Sequence, residues 1–334
     1  MHKRAFAAIA AICLSAAVHA QDAATPGKAV PVTVDNFDRA ETDMQFARLV
    51  KLGGFGKFLH ARDFDSGSWA NRDILHSDAV FDLDAGPVRI LLPKAGKRFM
   101  SLMEITEDHY VYSVDYGPGH YTFGKSEIGT RYVFISLRIA VDASDPKDIE
   151  QARAIQDAVR VIQAKGPGRF EVPNWDSVSH KKVRDMIVAL NGTLPDLHNA
   201  FGSRFHANAV RHLIGTAVAW GSYPDKDATA FTITPSRNDG STVYKLVMPA
   251  KTPVNGFWSV TVYDGKGGGA ASVSSVGAKR SADGSTVVQF GGCDAKSANC
   301  LPITNGWNYM VRTYRPRDEI VNGMWRFPEA KAAN

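Results

Sequence analysis

Residues Asn71–Pro93 read NRDILHSDAVFDLDAGPVRILLP. An amide, a guanidinium and a carboxylate (Asn71, Arg72, Asp73) stand directly ahead of two strand-like runs, Asp78–Leu83 and Val88–Leu92. The Asp84-Ala85-Gly86-Pro87 joint between the runs has the composition of a reversing turn. The stretch is therefore expected to form a scaffold hairpin with a polar cluster at its start. Hairpin formation accounts for the alternation and the turn. It does not require Asn71, Arg72 and Asp73.

Outward from this stretch, Ala79–Leu83, Val88–Leu92, Phe99–Ile105, Tyr110–Val114 and Tyr132–Val141 are rich in Val, Ile, Phe and Tyr, with Gly, Pro and Asp between them. Short strands at this spacing with no helix between them predict a β-sandwich or jelly roll rather than a βαβ sheet. Upstream, Val34–Leu52 has helical spacing and stops at Gly53-Gly54. Downstream, Asp145-Pro146-Lys147-Asp148 is a helix start, and Ile149, Ala152, Ile155, Val159 and Ile162 form one apolar stripe up to Gly166-Pro167-Gly168. Lys182–Leu190 and Asn208–Trp220 read as two further helices ending at Gly192 and Gly221. Strands then resume at Thr229–Thr234, Val243–Met248, Phe257–Tyr263, Ser272–Val276, Thr286–Phe290 and Trp307–Tyr314, with Asn238-Asp239-Gly240 and Ala282-Asp283-Gly284 as hairpin turns by composition. The fold class expected is mainly β with a helical portion: two β-sandwich, jelly-roll-like modules joined by a helical connector.

The first twenty residues read as an export signal. His2, Lys3 and Arg4 are basic, Ala5–Val18 is mostly apolar, and Val18-His19-Ala20 offers small-residue cleavage after Ala20. That places the mature chain in the periplasm or outside the cell, with no integral membrane segment. The chain carries 39 Lys and Arg against 34 Asp and Glu; loss of residues 1–20 leaves 37 against 34, a formal +3. No basic block interleaved with aromatics accompanies this mild charge, which argues against nucleic acid. Cys293 and Cys300 are close in sequence and, in an oxidising compartment, read as one local disulfide. A mature chain of this length exceeds one hydrophobic core. The expected organisation is signal peptide 1–20, flexible leader 21–31, a helix plus first β-module over 32–142, helical connector 143–224, and a second β-module over 225–330.

Nucleophile-elbow, zincin and dinucleotide-fold signatures are absent from the sequence. Among the remaining candidates, Asn71-Arg72-Asp73 ranks first. Arg72 could hold an anion bidentately and Asp73 could act as general base, or the three could form a salt bridge and a turn amide. His76 follows Asp73 by three, which in a strand puts the two on opposite faces. Glu107-Asp108-His109-Tyr110 sets His109 beside two acids, as a proton-transfer pair or as a hydrogen-bonded turn. Period two places Arg312 and Tyr314 on one face of the last strong strand, either a basic-aromatic face suited to an anionic or sugar-like ligand or an exterior face with ordinary ion pairs. Asp63, Asp65 and Gly67 echo the start of a calcium loop but lack its later ligands. No metal site is assigned, and no cofactor is indicated.

Asn71-Arg72-Asp73 with VFDLDAGPVRILLP, KRFMSL, EDHY, GTRYV and DPKDIEQARAIQD, and later VRHLIGTA, NDGSTVYKL, NGFWSVTVYD and NCLPITNGWNYMVRTYRPRDEIVNG, resembles a bacterial two-domain family, domain of unknown function 1254 joined to domain of unknown function 1214. The resemblance runs from about Val32 to Glu329 and implies jelly-roll-type domains with a helical portion in exported proteins. It implies little chemistry. Ile74 and His76 replace hydroxyl residues of the family's NRDTLYS pattern. The Gly265–Ala271 loop is shorter and barer than the family's, which would leave any pocket there more open or differently tuned. The reading reached is an exported protein with a small-molecule site near Asn71-Arg72-Asp73, hydrolytic in one version. In the alternative it is a non-catalytic binding or envelope-interaction module.

Overall fold

In a computed structural model, which describes residues 28–64, 69–269 and 271–333, the chain folds mostly into antiparallel sheets. The expected signal sequence and cleavage after Ala20, residues 21–27 of the expected leader, and Asp65 and Gly67 of the calcium-like stretch lie outside the described residues. The strands of the N-terminal half are β1 (Leu59–His60), β2 (Ile74–Asp82), β3 (Val88–Leu92), β4 (Met100–Thr106), β5 (Val111–Tyr116), β6 (Gly119–Phe123), β7 (Tyr132–Ala140) and β8 (Arg160–Ile162). They form a five-stranded sheet in the order β1-β2-β7-β4-β5 and a three-stranded sheet in the order β6-β3-β8.

The opening stretch therefore does not close into a hairpin. β2 pairs with β1 and β7, whereas β3 pairs with β6 and β8 in the other sheet. The chain crosses between sheets through a 3-10 turn at Leu83–Ala85. Asp82 accepts the Asp84 N–H there, and Gly86 supplies a φ of 117° that side-chain-bearing residues rarely adopt. The physical reason is burial. Leu75, Ala79 and Phe81 of β2 and Val88, Ile90 and Leu92 of β3 fill one shared core, which requires the two strands to face each other across it.

Helix α1 (Phe37–Lys51) lies inside the predicted helix, and α2 (Lys125–Ile128) is a single turn. Helix α3 (Pro146–Asp157) starts as expected, with the Asp145 carboxylate accepting the Lys147 N–H and Pro146 in the first turn. It ends earlier than the apolar stripe suggested. Residues Arg160–Ile162 leave it and pair with β3 as β8, where β-branched Val159 and Val161 pack on the core. Helices α4 (Ser177–Asn191) and α5 (Ala209–Val218) complete the connector and pack with α1 around Phe37, Ala40, Ile187, Ile214 and Ala217.

The C-terminal half has β9 (Ala228–Ile233), β10 (Tyr244–Met248), β11 (Trp258–Tyr263), β12 (Ala271–Ser274), β13 (Thr286–Phe290), β14 (Cys300–Leu301), β15 (Asn308–Tyr314), a short helix α6 (Asp318–Val321) and β16 (Lys331–Ala332). Two four-stranded sheets, β14-β13-β10-β16 and β12-β11-β15-β9, hold a core of Leu246, Val260, Phe290, Trp307 and Tyr309. Gly240 and Gly284 take positive φ at the predicted turns, but neither turn makes a hairpin, because β9 and β10, like β12 and β13, belong to different sheets. Cys293 and Cys300 are joined as a disulfide. No helix among the described residues is long and apolar enough to cross a membrane.

Candidate functional site

Strand β11 reads Trp-Ser-Val-Thr-Val-Tyr and is buried on both faces. Trp258, Val260 and Val262 enter the C-terminal core, so Ser259, Thr261 and Tyr263 line the opposite face. Register sets Ser259 beside Arg312 and Ser274, Thr261 beside Ser272, and Tyr263 beside Asn308. The outcome is a floor of hydroxyls with one guanidinium in it. Buried polar groups persist only when hydrogen-bonded, and here many of the partners come from the N-terminal half.

Residues 69–73 lie across this floor. The Trp69 N–H donates to the Gly267 carbonyl (2.8 Å), and the Trp69 carbonyl accepts from Arg312 Nη2 (3.1 Å). Tyr263 OH donates to the Ala70 carbonyl (2.7 Å), and Asn71 Nδ2 donates to Tyr314 OH (2.7 Å). Asn71 Oδ1 accepts the Asp73 N–H (2.9 Å), an Asx turn that aims Asp73 downward. Ser272 Oγ donates to Asp73 Oδ1, while Oδ2 has no partner among the described residues. Burial at 2% exposure raises the Asp73 carboxyl above its ordinary range, against the pull of the Ser259 and Ser272 hydroxyls and the Arg312 charge.

Arg312 donates from Nη1 to Thr261 Oγ1 (3.0 Å) and from Nη2 to Tyr263 OH (2.7 Å) as well as to Trp69. All its hydrogen-bond acceptors are neutral. Tyr314, stacked on Phe257 at 4.1 Å, has its phenol pushed upward by burial. Trp69 is 41% exposed and rests its ring 5.1 Å from that of Tyr263. The short glycine loop does not leave this place open. A Cβ on Gly267 would meet the Trp69 ring at 2.8 Å, so the missing side chain is what lets the indole settle there.

Asn71, Asp73, Arg312 and Tyr314 are thus brought together. Arg72 turns away, its guanidinium over the Phe64 ring at 5.9 Å and its Nε without a partner among the described residues. It makes no ion pair with Asp73. His76 sits on the opposite face of β2 from Leu75, in register with Arg138 of β7. Desolvation, then the Arg138 charge, lowers its pKa to about 3, so it is neutral at any ordinary pH.

His109 is farther still. Asp73 precedes the β2 end that pairs near Ala140, whereas His109 follows β4 beyond Thr106, roughly 20 Å along the sheet. It occupies the left-handed position (φ 64°) of the β4–β5 turn. Its Nε2 accepts the Gly221 N–H (2.9 Å), which leaves the hydrogen on Nδ1 to donate to Thr216 Oγ1 (2.8 Å). Burial, with the His212 charge second, drives its pKa well below the usual imidazole value. Both nitrogens are used in holding α5 to the hairpin. Asp73, His76 and His109 accordingly do not share one pocket. No group of three or more His, Cys, Asp or Glu among the described residues could hold a metal ion.

Sequence reasoning missed Trp69, Ser259, Thr261, Tyr263 and Ser272. The signal available was the strict alternation of hydroxyl and aliphatic residues in Ser259–Tyr263. In a strand that alternation means one face is polar, and a polar face can still be buried.

The fold is shared with a solved structure. The VPA0106 protein from Vibrio parahaemolyticus superposes with a TM-score of 0.72 at 17% identity, over 90% of this chain and 98% of that one. A protein from Burkholderia cenocepacia gives 0.46 at 13% identity, over 90% and 88%. Among curated proteins none matches. Residues 55–163 match the model for a protein of unknown function (DUF1254) and residues 232–318 that for a protein of unknown function (DUF1214). With more than half of its residues under these two models, in this order, the chain belongs to the two-domain family that joins DUF1254 to DUF1214.

Proposed function

We propose that the mature chain is exported to the periplasm or beyond and binds a small anionic or hydroxylated molecule at the seam of its halves. Arg312 and Asp73 supply the charged groups, and Trp69 and Tyr263 the aromatic wall. One observation carries the reading. The Arg312 guanidinium has only neutral partners and forms no ion pair among the described residues, while one oxygen of the nearby Asp73 carboxyl has no partner. Charges held close but not closed on each other keep capacity for a third group. Export rests on the basic and apolar start of the chain, and the disulfide supports an oxidising destination. The core shared between facing sheets in each half supports jelly-roll-type sandwiches, joined by the connector at residues 143–224.

The test is mass spectrometry of small molecules extracted from protein purified from the periplasm. One polar species retained by the wild type and lost by Arg312→Met is the expected result. Absence of any such species, or equal retention by the variant, overturns the proposal. A hydrolytic version has one observation of its own, the Ser272 hydroxyl donating to Asp73, which is the contact of a nucleophile with its base. It requires that Ser272→Ala abolish turnover of the extracted molecule while leaving its binding intact.

A further inference from the structure

A concave surface lies away from the seam, at the open edge between the two N-terminal sheets. β5 is the last strand of the five-stranded sheet and β6 the last of the three-stranded one. Between them runs a groove of about 570 Å³, lined by Tyr112, Ser113, Asp115, His120, Tyr121 and Phe123 among others. No lysine or arginine lines it.

Behind its wall is a carboxyl that the fold alone does not explain. Glu104 of β4 stands opposite Ser113 in register and is fully buried. Its Oε2 is 2.5 Å from Ser113 Oγ, and the same Oγ is 3.1 Å from Asp115 Oδ2. One hydroxyl carries one hydrogen and cannot fill both contacts well. Both are filled if Glu104 is the neutral acid, donating to Ser113, which donates in turn to Asp115. Burial supports this assignment, since it holds the Glu104 carboxyl well above its ordinary range. Glu104 Oε1 has no partner among the described residues. Asp115 is left as the charged end of the chain and forms no ion pair among those residues.

The rings around Asp115 are held in place. The Tyr121 O–H points at the carbonyls of Tyr116 (3.2 Å) and Gly117 (3.1 Å), with its single hydrogen shared between them, so the groove meets its ring rather than its hydroxyl. Tyr112 is 44% exposed on the rim. One carboxylate, several aromatic rings and no lysine or arginine match the requirements of an organic ammonium ion.

We propose that the groove between β5 and β6 binds a small organic ammonium ion, with Asp115 as counter-charge, Tyr112, Tyr121 and Phe123 as aromatic walls, and the Glu104–Ser113 pair fixing Asp115. The site is separate from the seam and needs nothing from it. The test is calorimetric titration of the mature protein with choline and, in parallel, with its neutral isostere 3,3-dimethylbutan-1-ol at the same ionic strength. Saturable choline binding, at least about tenfold tighter than the alcohol, is expected. Asp115→Asn should weaken choline about tenfold and leave the alcohol unchanged. Tyr112→Ala, at an exposed position that the fold does not depend on, should weaken choline several-fold and serves if Asp115→Asn does not fold. Absence of saturation, equal binding of the two probes, or choline binding unchanged in the folded variants would each overturn the proposal.

Discussion

Replacing Arg312 by Met keeps most of the aliphatic volume and removes the guanidinium, and with it three hydrogen bonds to Thr261, Tyr263 and Trp69. A hydrogen bond from a charged donor contributes about 1.5–3 kcal/mol net, but the three are not additive, and the variant recovers the desolvation penalty of the cation. The Thr261 and Tyr263 hydroxyls can turn to other partners. The Trp69 carbonyl lies on the exposed side of the contact, where water can replace the lost donor. The expected destabilisation is therefore about 2 kcal/mol, read as a shift in urea midpoint with unchanged slope. Arg312→Lys, with a single nitrogen, should lose about half as much. The variant also reports on the seam as a unit, because Asn71 pins the same segment through Tyr314. Once Arg312→Met has freed residues 69–73, Asn71→Ala should cost less than it does alone, a sub-additivity beyond the ~0.5 kcal/mol expected for independent sites. A loss under 1 kcal/mol for Arg312→Met, or strict additivity with Asn71→Ala, refutes the description of residues 69–73 as one cooperative clasp.

Gly267→Ala should destabilise by about 1–3 kcal/mol, since φ is +84° and the new Cβ would meet the Trp69 ring; a red shift of tryptophan emission would report displacement of the indole. Asp43, 1% exposed on α1 and accepting from Trp175 Nε1 at 2.9 Å, has its carboxyl raised by burial from 3.8 to about 7. Because the folded value is the higher one, this penalty is absent below the unfolded pKa and complete above pH 7. Stability should fall between about pH 4 and pH 7 by up to about 4 kcal/mol on this account, and Asp43→Asn should flatten the profile in urea titrations at successive pH values. A profile unchanged in slope by the variant would contradict the assignment. The Cys293–Cys300 link closes a short loop of sequence separation 7, so Cys293→Ser should cost about 2–3 kcal/mol by loop entropy; reduction of the wild type should reproduce that loss in thermal unfolding.

What the sequence shows plainly is local. The Asp145-Pro146 helix start, the Asn208 cap of α5 and the strands at Val88–Leu92 and Thr286–Phe290 follow from capping and periodicity, which involve only near neighbours. Partners across the chain were not legible. Asp84-Ala85-Gly86-Pro87 reads as a turn and is one, but the choice between a hairpin and a crossing to the other sheet depends on where the core lies. Val159 and Ile162 fit a helical stripe equally well as a strand, and pairing with β3 decided between them. The same limit applied to the site. Asn71 and Asp73 were visible as polar residues that folding did not obviously need. Their partners Tyr314 and Ser272 lie about two hundred residues away or more.

The seam raises a physical question that stability does not answer. Two halves with their own cores could meet through apolar faces, and replacing a buried polar network by apolar residues of similar shape is often neutral or stabilising. Here Ser259, Thr261, Ser272, Tyr263, Arg312 and Asp73 share the interface with an apolar contact of Phe99 against Phe257 and Tyr314, and the polar network is incompletely satisfied. Asp73 Oδ2 and Ser259 Oγ, which adjoin each other, and Asn308 Oδ1 are buried without a hydrogen bond of good geometry among the described residues, and all three belong to this one region. An incomplete polar network is less favourable than either a complete one or none. Its place beside a guanidinium with no carboxylate partner is what the proposed ligand would complete. Docking already has the apolar contact of Phe99 with Phe257 and Tyr314, besides the hydrogen bonds to the Trp69 and Ala70 backbone.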